Sequence, residues 1–388
     1  MTDADTLRML EDAARVAVPF DAARIRAWRE GSGRVDRNRW RSMAEQGWFS
    51  IAVSEEDGGL GLELDAACAV ARVLGAAAAP EPFVAAGVVV PKLLTLCPPS
   101  PRRDAALAAV ISGEALVAVA HLDPSGSPPM GASGVVARAD ADMLSLNGML
   151  RFVPVPDADA FLVPVDIDQV RFGEAAAPYE AKLLWVDANT DGLTVEREPT
   201  ADGGALGLMT FNDVAVPASN QLAGGGFQYF FDEAHDYGIM ANCAELQGNL
   251  ERALELTVDF LKTRSQFGKT IGSFQVLQHR TVDLWMHAKV ADHALTAALT
   301  RVMAPDVPPD ARAEAASGAK ARVARTALDL GNDAIQLHGA IGFTDEYDLA
   351  LYVNRAIAIA PYLGNADDHL KRYGELKQRR GEALEVAA

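Results

Sequence analysis

Basic side chains are in short supply in this chain, where 35 Lys and Arg face 53 Asp and Glu for a formal net charge of −18. An extended nucleic-acid or anionic-membrane surface needs a basic face, so neither is expected as a partner. The deficit still leaves room for an anionic ligand held by one local arginine and a few backbone N–H groups. Cysteine is scarcer: Cys68, Cys97 and Cys243 are odd in number and widely spaced, which fits neither a disulfide framework nor a metal knuckle. No metal site is expected, and small buried thiols are. Long apolar runs are missing as well. The nearest, residues 74–90, is broken by Pro80, Glu81 and Pro82 and reads as helix, turn, helix, not as a membrane span. The first residues carry Asp3, Asp5, Glu11 and Asp12, with no basic stretch leading into an apolar one. A secretory signal is therefore not expected, and the reading is a cytoplasmic enzyme or enzyme subunit.

What is present falls into three textures. At 388 residues the chain is too long for one simple core, so two or three domains are expected. Residues 1–114 show helical periodicity, as at 21–29, 39–46 and 63–78, with an irregular glycine-punctuated loop at 49–62. Residues 115–222 break into short apolar runs at 116–121, 134–137, 143–146, 160–165 and 182–186, separated by Gly, Pro, Asp and Asn. That spacing predicts a compact antiparallel, barrel-like β domain, and the absence of strand–helix alternation argues against a doubly wound sheet. After Gly224-Gly225-Gly226, helical texture resumes over 227–264, 274–302, 309–339 and 349–374. Long helices with short connections predict an antiparallel four-helix bundle. The expected fold class is α+β, with domains at 1–114, 115–222 and 223–388.

Two segments in the last zone have the chemistry of a nucleotide site. Arg264-Ser-Gln-Phe267-Gly-Lys closes a helix and opens a loop. An arginine there can satisfy the terminal carbonyls, and with the aromatic ring it also suits a phosphate and an adenine. Gln336-Leu-His-Gly339-Ala340-Ile-Gly-Phe places glycines one turn after a glutamine. This is either a plain C-cap or a place where backbone N–H groups meet a pyrophosphate.

Taken in order with residues 43–62, residues 211–220, Phe274-Gln275 and Gln278, these segments resemble the acyl-CoA dehydrogenase family over nearly the whole chain. The resemblance implies FAD-dependent α,β-desaturation of an acyl-CoA thioester by a tetramer, with FAD shared across a dimer interface. It also implies an electron-transfer flavoprotein as electron acceptor. In the family one subunit cradles the isoalloxazine while its neighbour holds the ADP half. Carried over, Arg264, Phe267, Gln275, Gln336, Gly339 and Ala340 would hold the ADP portion of an FAD bedded mostly in a partner. Ala340 replaces the family's second glycine, which is tolerable if its φ stays negative.

The reaction needs a carboxylate base near the carbon beside the thioester. The family's usual base position falls on Leu363 and its alternative position on Gly238, and neither can take a proton. Glu233, His235 and Asp236 are candidates for a displaced base. Asp236 is the nearest, against a reading as a solvated residue near a helix start. Asp367 and Asp368 are expected at the surface. The positions that would bond the flavin ring are also altered, to Leu122-Asp123-Pro124 and Phe152-Val153-Pro154, which remove hydroxyl and N–H donors. By resemblance, residues 125–132 and 230–238 line the acyl-CoA cleft, with Arg151 or Arg252 as local cations for CoA phosphates. Three readings follow. The first is a base-lacking subunit that pairs in an α2β2 assembly with a homologous catalytic subunit bearing the glutamate, suited to a bulky steroid-derived acyl-CoA. The second is a homotetramer with a displaced base such as Asp236. The third is a flavin-free binding or scaffold protein.

Overall fold

The computed structural model describes residues 2–122, 134–167, 181–224 and 227–387. They form two compact units: Met1–Ser32, Glu63–Pro80 and Asp236–Ala388 make one, and Gly33–Leu62 and Glu81–His235 the other. The chain begins with helices α1 (Ala4–Ala17), α2 (Ala22–Glu30), α3 (Arg37–Glu45), α4 (Leu64–Ala76), α5 (Val90–Leu96) and α6 (Pro101–Ile111). Four of them start where a short polar side chain accepts a bond from the first turn: Asp3, Asp21, Asp36 and Ser100. Each such cap is worth about 0.5–2 kcal/mol. Residues 49–62 are irregular as expected, with 3₁₀ turns at Trp48–Ser50 and Glu55–Asp57. The broken apolar run becomes α4, a bend, and a π-helical turn over Phe83–Val89 that leads into α5. Among the described residues no helix is long and apolar enough to cross a membrane.

The strands are β1 (Val117–Val119), β2 (Val135–Asp140), β3 (Met143–Val153), β4 (Ala160–Ile167), β5 (Ala181–Asp187), β6 (Leu193–Pro199), β7 (Ala205–Pro217) and β8 (Gln221–Ala223). They join in the order β6-β7-β3-β2-β4-β5-β8, with β1 on β4. The expectation of a purely antiparallel domain is corrected here, because β4 pairs in parallel with both β1 and β2. Short apolar runs report strands but not direction, since a parallel pairing is closed by chain far away in sequence. The central place of β4 is visible in its own residues. Ala-Phe-Leu-Val-Pro-Val-Asp is buried at every position, as a strand covered on both faces must be.

In the other unit, α7 (Phe227–Thr263) is followed by the short strands β9 (Ser265–Gln266) and β10 (Lys269–Thr270). Then come α8 (Gln275–Val302), α9 (Pro309–His338), α10 (Leu349–Ile359) and α11 (Ala366–Ala387). The expected single segment over 349–374 is a second correction: it is two helices broken at 360–365. Pro361 lies in the break, and Leu363 and Gly364 there take φ of +60° and +103°, which no helix accommodates. The three cysteines are free and buried. Burial pushes the Cys97 and Cys243 thiols up to about 12, so they are inert fillers of the core.

Helix α4 runs close against α7. A methyl group on Gly75 would strike the Glu245 carbonyl, and one on Gly248 would strike the Arg72 carbonyl. Backbones at this separation admit glycine alone. Gly248→Ala should therefore destabilise the fold by about 1–3 kcal/mol or more through overpacking. Gly374→Ala on exposed α11, where an added carbon meets nothing within 4 Å, should be neutral or stabilise by up to ~1 kcal/mol. Thermal denaturation of the two variants checks this, and equal melting temperatures would refute the packing argument.

Candidate functional site

One end of the helical unit gathers all six residues expected at a nucleotide. Phe260, one turn before Arg264 on α7, stacks on His338 at the end of α9, with centroids 4.4 Å apart. Arg280 near the start of α8 bonds Asp333 of α9 at 2.8 Å. These contacts hold the last turns of α7 and α9 beside the first turn of α8. Arg264, Phe267, Gln275, Gln336, Gly339 and Ala340 are all exposed there.

Strands β9 and β10 form a hairpin in which Gln266 pairs with Lys269. Its two-residue turn is Phe267-Gly268, with φ of +54° and +79°, the pattern of a type I′ turn that ordinarily takes Asn-Gly. A phenylalanine in the left-handed region is strained by roughly 1–2 kcal/mol, and this one is also 91% exposed. It meets Phe274 edge-on at 6.3 Å, over whose ring Lys269 Nζ lies 4.2 Å from the centroid. Strain and exposure together mark a residue placed for something other than this chain's own core. Gly339 caps α9 at φ +67°, with open space where a side chain would stand. Ala340 stays out of the left-handed region, so the methyl group there needs no strain.

The expected base positions lie elsewhere in the same unit. Leu363 is 6% exposed and sits in the left-handed turn between α10 and α11. Its carbonyl accepts a hydrogen bond from His369 at 2.7 Å. The same imidazole packs against Gly364, where an added carbon would lie 2.7 Å from Nε2. Gly238 is buried within α7. Asp236 is not the solvated residue considered above, since it is fully buried. Its carboxylate takes Arg312 Nε at 3.2 Å on one oxygen and Arg372 Nη1 at 3.1 Å on the other. Burial pushes its pKa up while Arg372 and Arg312 pull it down. Both oxygens are thus engaged by guanidinium groups, and Asp236 is held in a buried ion-paired cluster. Asp367 and Asp368 are exposed as expected. Arg252 is paired with Glu255 at 2.8 Å.

In the β-containing unit, Leu122 forms a bridge with Arg151, which brings the two segments expected around a flavin ring side by side. Leu122 offers no hydroxyl and Pro154 no N–H, so the ring edge that those segments would meet lacks side-chain donors at both positions. Arg151 is engaged by Glu198 at 2.6 Å and lies over Phe152. Glu233 is paired with Lys92 at 2.8 Å, and His235 stacks on Phe231. Asp123, Pro124 and the segment 125–132 lie outside the described residues.

Two family models cover most of the sequence. Acyl-CoA dehydrogenase, N-terminal domain, matches residues 4–114, and acyl-CoA dehydrogenase, C-terminal domain, matches residues 224–375. The chain belongs to the acyl-CoA dehydrogenase family. Among curated relatives, acyl-CoA dehydrogenase IpdE2 of Mycobacterium tuberculosis is 30% identical over 378 residues, covering 96% of this chain and 97% of the relative. IpdE2 of Mycolicibacterium smegmatis is 29% identical, with 90% of each covered. Among solved structures, a variant of the Tcur3481-Tcur3483 steroid ACAD superposes with a TM-score of 0.83 at 27% identity, over 97% of this chain and 99% of that one. The ChsE4-ChsE5 complex from Mycobacterium tuberculosis gives 0.81 at 25%, over 96% and 97%.

Within this acyl-CoA dehydrogenase the most unusual buried group was not anticipated. Lys320 of α9 is fully buried, and its ammonium donates to Asn242 Oδ1 of α7. Burial pulls its pKa down to about 8, with Cys243 and Glu245 acting in the opposite direction. A lysine held below its ordinary 10.5 leaves the folded state with fewer bound protons than the unfolded chain between those values. Folding stability therefore rises with pH across that interval, and the cost of the buried ammonium is complete below about 8. Lys320→Met removes this titration while leaving the Asn242 oxygen without its donor. Its stability relative to the native chain should fall as the pH is raised from about 8 to 10.5. Urea denaturation at a series of pH values measures it, and a difference that does not change with pH would exclude a buried, charged Lys320.

Proposed function

We propose that this chain is the base-lacking subunit of a heteromeric acyl-CoA dehydrogenase. It contributes the ADP-binding half of an FAD site to a homologous, glutamate-bearing subunit in an α2β2 assembly. The observation that carries the reading is a contrast within one unit. A strained, 91% exposed Phe267 stands beside exposed Arg264 and an open glycine cradle, while the base position is a buried leucine. Residues that serve a partner's cofactor face outward, and those that would serve this chain's own chemistry are missing.

The ADP half fits the residues present. Arg264 offers a planar fork to phosphate, Phe267 a free ring face to adenine, Gln275 and Gln336 amide hydrogen bonds, and the backbone at Gly339 and Ala340 close approach. The isoalloxazine fits poorly at Leu122 and Pro154, which bring no side-chain donor to its edge. When bound, FAD supplies the hydride acceptor, and an electron-transfer flavoprotein is the expected route for its electrons. The partner supplies the carboxylate that takes the proton. On this reading the chain works as three parts, 1–114, 115–222 and 223–388. The likeness to the Tcur3481-Tcur3483 steroid ACAD supports a bulky, ring-bearing acyl-CoA as substrate. A homotetramer using Asp236 has against it the two arginines that occupy that carboxylate.

The test is the visible spectrum of the purified protein. Alone, the chain should carry little flavin and no desaturase activity, and co-expression with a glutamate-bearing homologue should bring both. Arg264→Ala in this chain should then weaken FAD retention by the complex about tenfold or more, a loss of ~1.4 kcal/mol or greater for a charged hydrogen bond. A yellow homotetramer that bleaches with an acyl-CoA would overturn the proposal.

A further inference from the structure

Helix α2 stands far from the nucleotide-holding segments in sequence but is tied to one of them in space. Arg26 donates from Nε to the Asp345 carbonyl at 3.0 Å, and its Nη2 pairs with the Asp348 carboxylate at 2.9 Å. Arg29, one turn further along α2, pairs with the Asp345 carboxylate. Asp345 lies 319 residues from Arg26 and 316 from Arg29, so no local rule of helix or turn formation accounts for the meeting. Asp345 and Asp348 close the segment that opens with the glycine cradle. That segment leaves α9 at Gly339, makes one 3₁₀ turn over Gly339–Phe343 and enters α10 at Leu349.

Packing already holds much of it. Gly342 sits so close to α9 that an added carbon would lie 2.8 Å from the Ile335 carbonyl. Tyr347 meets the rings of His338 and Phe260 at 5.0 and 5.8 Å. Ion pairs near a surface add little to stability, so two arginines converging on one short segment call for another role. Charge supplies it. Asp345, Glu346 and Asp348 all lie within nine residues of Gly339, in a chain whose net charge is −18. A bare carboxylate repels another anion over a Debye length of about 8 Å at physiological ionic strength. Arg26 and Arg29 cancel two of these three charges, and the Nε bond of Arg26 fixes the backbone between them.

We propose that Arg26 and Arg29 are positioning residues for the anion cradle. By pairing with Asp345 and Asp348 they hold segment 339–348 in place and neutralise the acidic flank that would otherwise repel the pyrophosphate of FAD. They act through the segment, not on the ligand. The inference rests on the proposed ADP-binding role of this end of the unit. It adds that the affinity for the anion is set in part by the second helix of the chain.

The experiment titrates FAD into the deflavinated complex of this chain with a glutamate-bearing homologue, read by flavin fluorescence. Calorimetry with ADP on the full chain alone gives a second measure that needs neither the partner nor the flavin ring. Melting temperature and oligomeric state are recorded beside both. Arg26→Gln and Arg29→Gln together should weaken each ligand about tenfold, equal to ~1.4 kcal/mol. Arg29→Lys, which keeps the charge, should hold most of the native affinity. Adding Asp345→Asn to Arg29→Gln should recover part of the loss, because it removes the repulsion that the arginine had cancelled. If the double arginine variant does not fold, Arg29→Gln with and without Asp345→Asn decides. A lower melting temperature with unchanged affinity for both ligands makes the pairs structural only and overturns the proposal. So does a loss that Asp345→Asn leaves as it was. Arg264→Ala in the same assays separates this inference from the reading beneath it. If Arg264→Ala weakens both ligands and the α2 variants do not, only the positioning role fails. If none of them matters, the ADP site fails and the positioning role with it.

Discussion

Residues 238–250 of α7 are buried on every side, and the polar groups along the helix are matched by neighbours all round it. Asp236 takes Arg312 of α9 and Arg372 of α11. Asn242 takes Lys320 of α9 and also donates to the Ile359 carbonyl at the end of α10. Glu245 takes Arg355 of α10 at 2.7 Å, and Glu251 takes Arg72 of α4, which also reaches Asp292 of α8. Such pairs add little net stability over apolar packing, but a one-turn slip would leave several charges buried and unpaired, at several kcal/mol each. Together with the glycine contacts between α4 and α7, they fix the register of the bundle. The turn at 360–365 hangs from these groups through Asn242 and through His369 beneath Leu363. Position 363 therefore keeps its defined backbone geometry although its side chain has no proton chemistry.

Much of this was legible in the sequence, and for identifiable reasons. Arg264, Phe267, Gln336 and Gly339 stood out in the sequence because helix ends leave a local signature, and the structure puts them at one end of one unit. Leu363 and Gly238 were assigned by counting from those segments, a method that relies on no insertion intervening. The parallel pairings of β4 were not legible, because direction depends on partners far along the chain. The break in the last helix had a signal, Pro361 followed by Gly364, hidden by the strong periodicity on both sides.

The buried polar groups show a different kind of blindness. In Ala-Lys320-Ala-Arg the lysine looks like any solvated helix cation. Only its spacing from Ala316, Val323 and Ala327, all buried, places it on the inward face. Asp236 was judged by its residue type, and the two arginines that bury it come from 76 and 136 residues away. In each case the deciding fact is a tertiary partner, which composition and periodicity do not contain.

The hairpin tip at Phe267 also bears on how chains find one another. The protein is strongly acidic, so two copies, or a copy and a similarly charged homologue, repel over most approaches. Around this ring, however, stand Lys262, Arg264 and Lys269, all exposed. In the proposed assembly, an acidic partner would be turned away elsewhere and drawn toward this cationic tip, where an aromatic side chain is already held in place by its turn. Encounter would then be oriented before any close contact forms, and its rate should fall as added salt shortens the reach of the field.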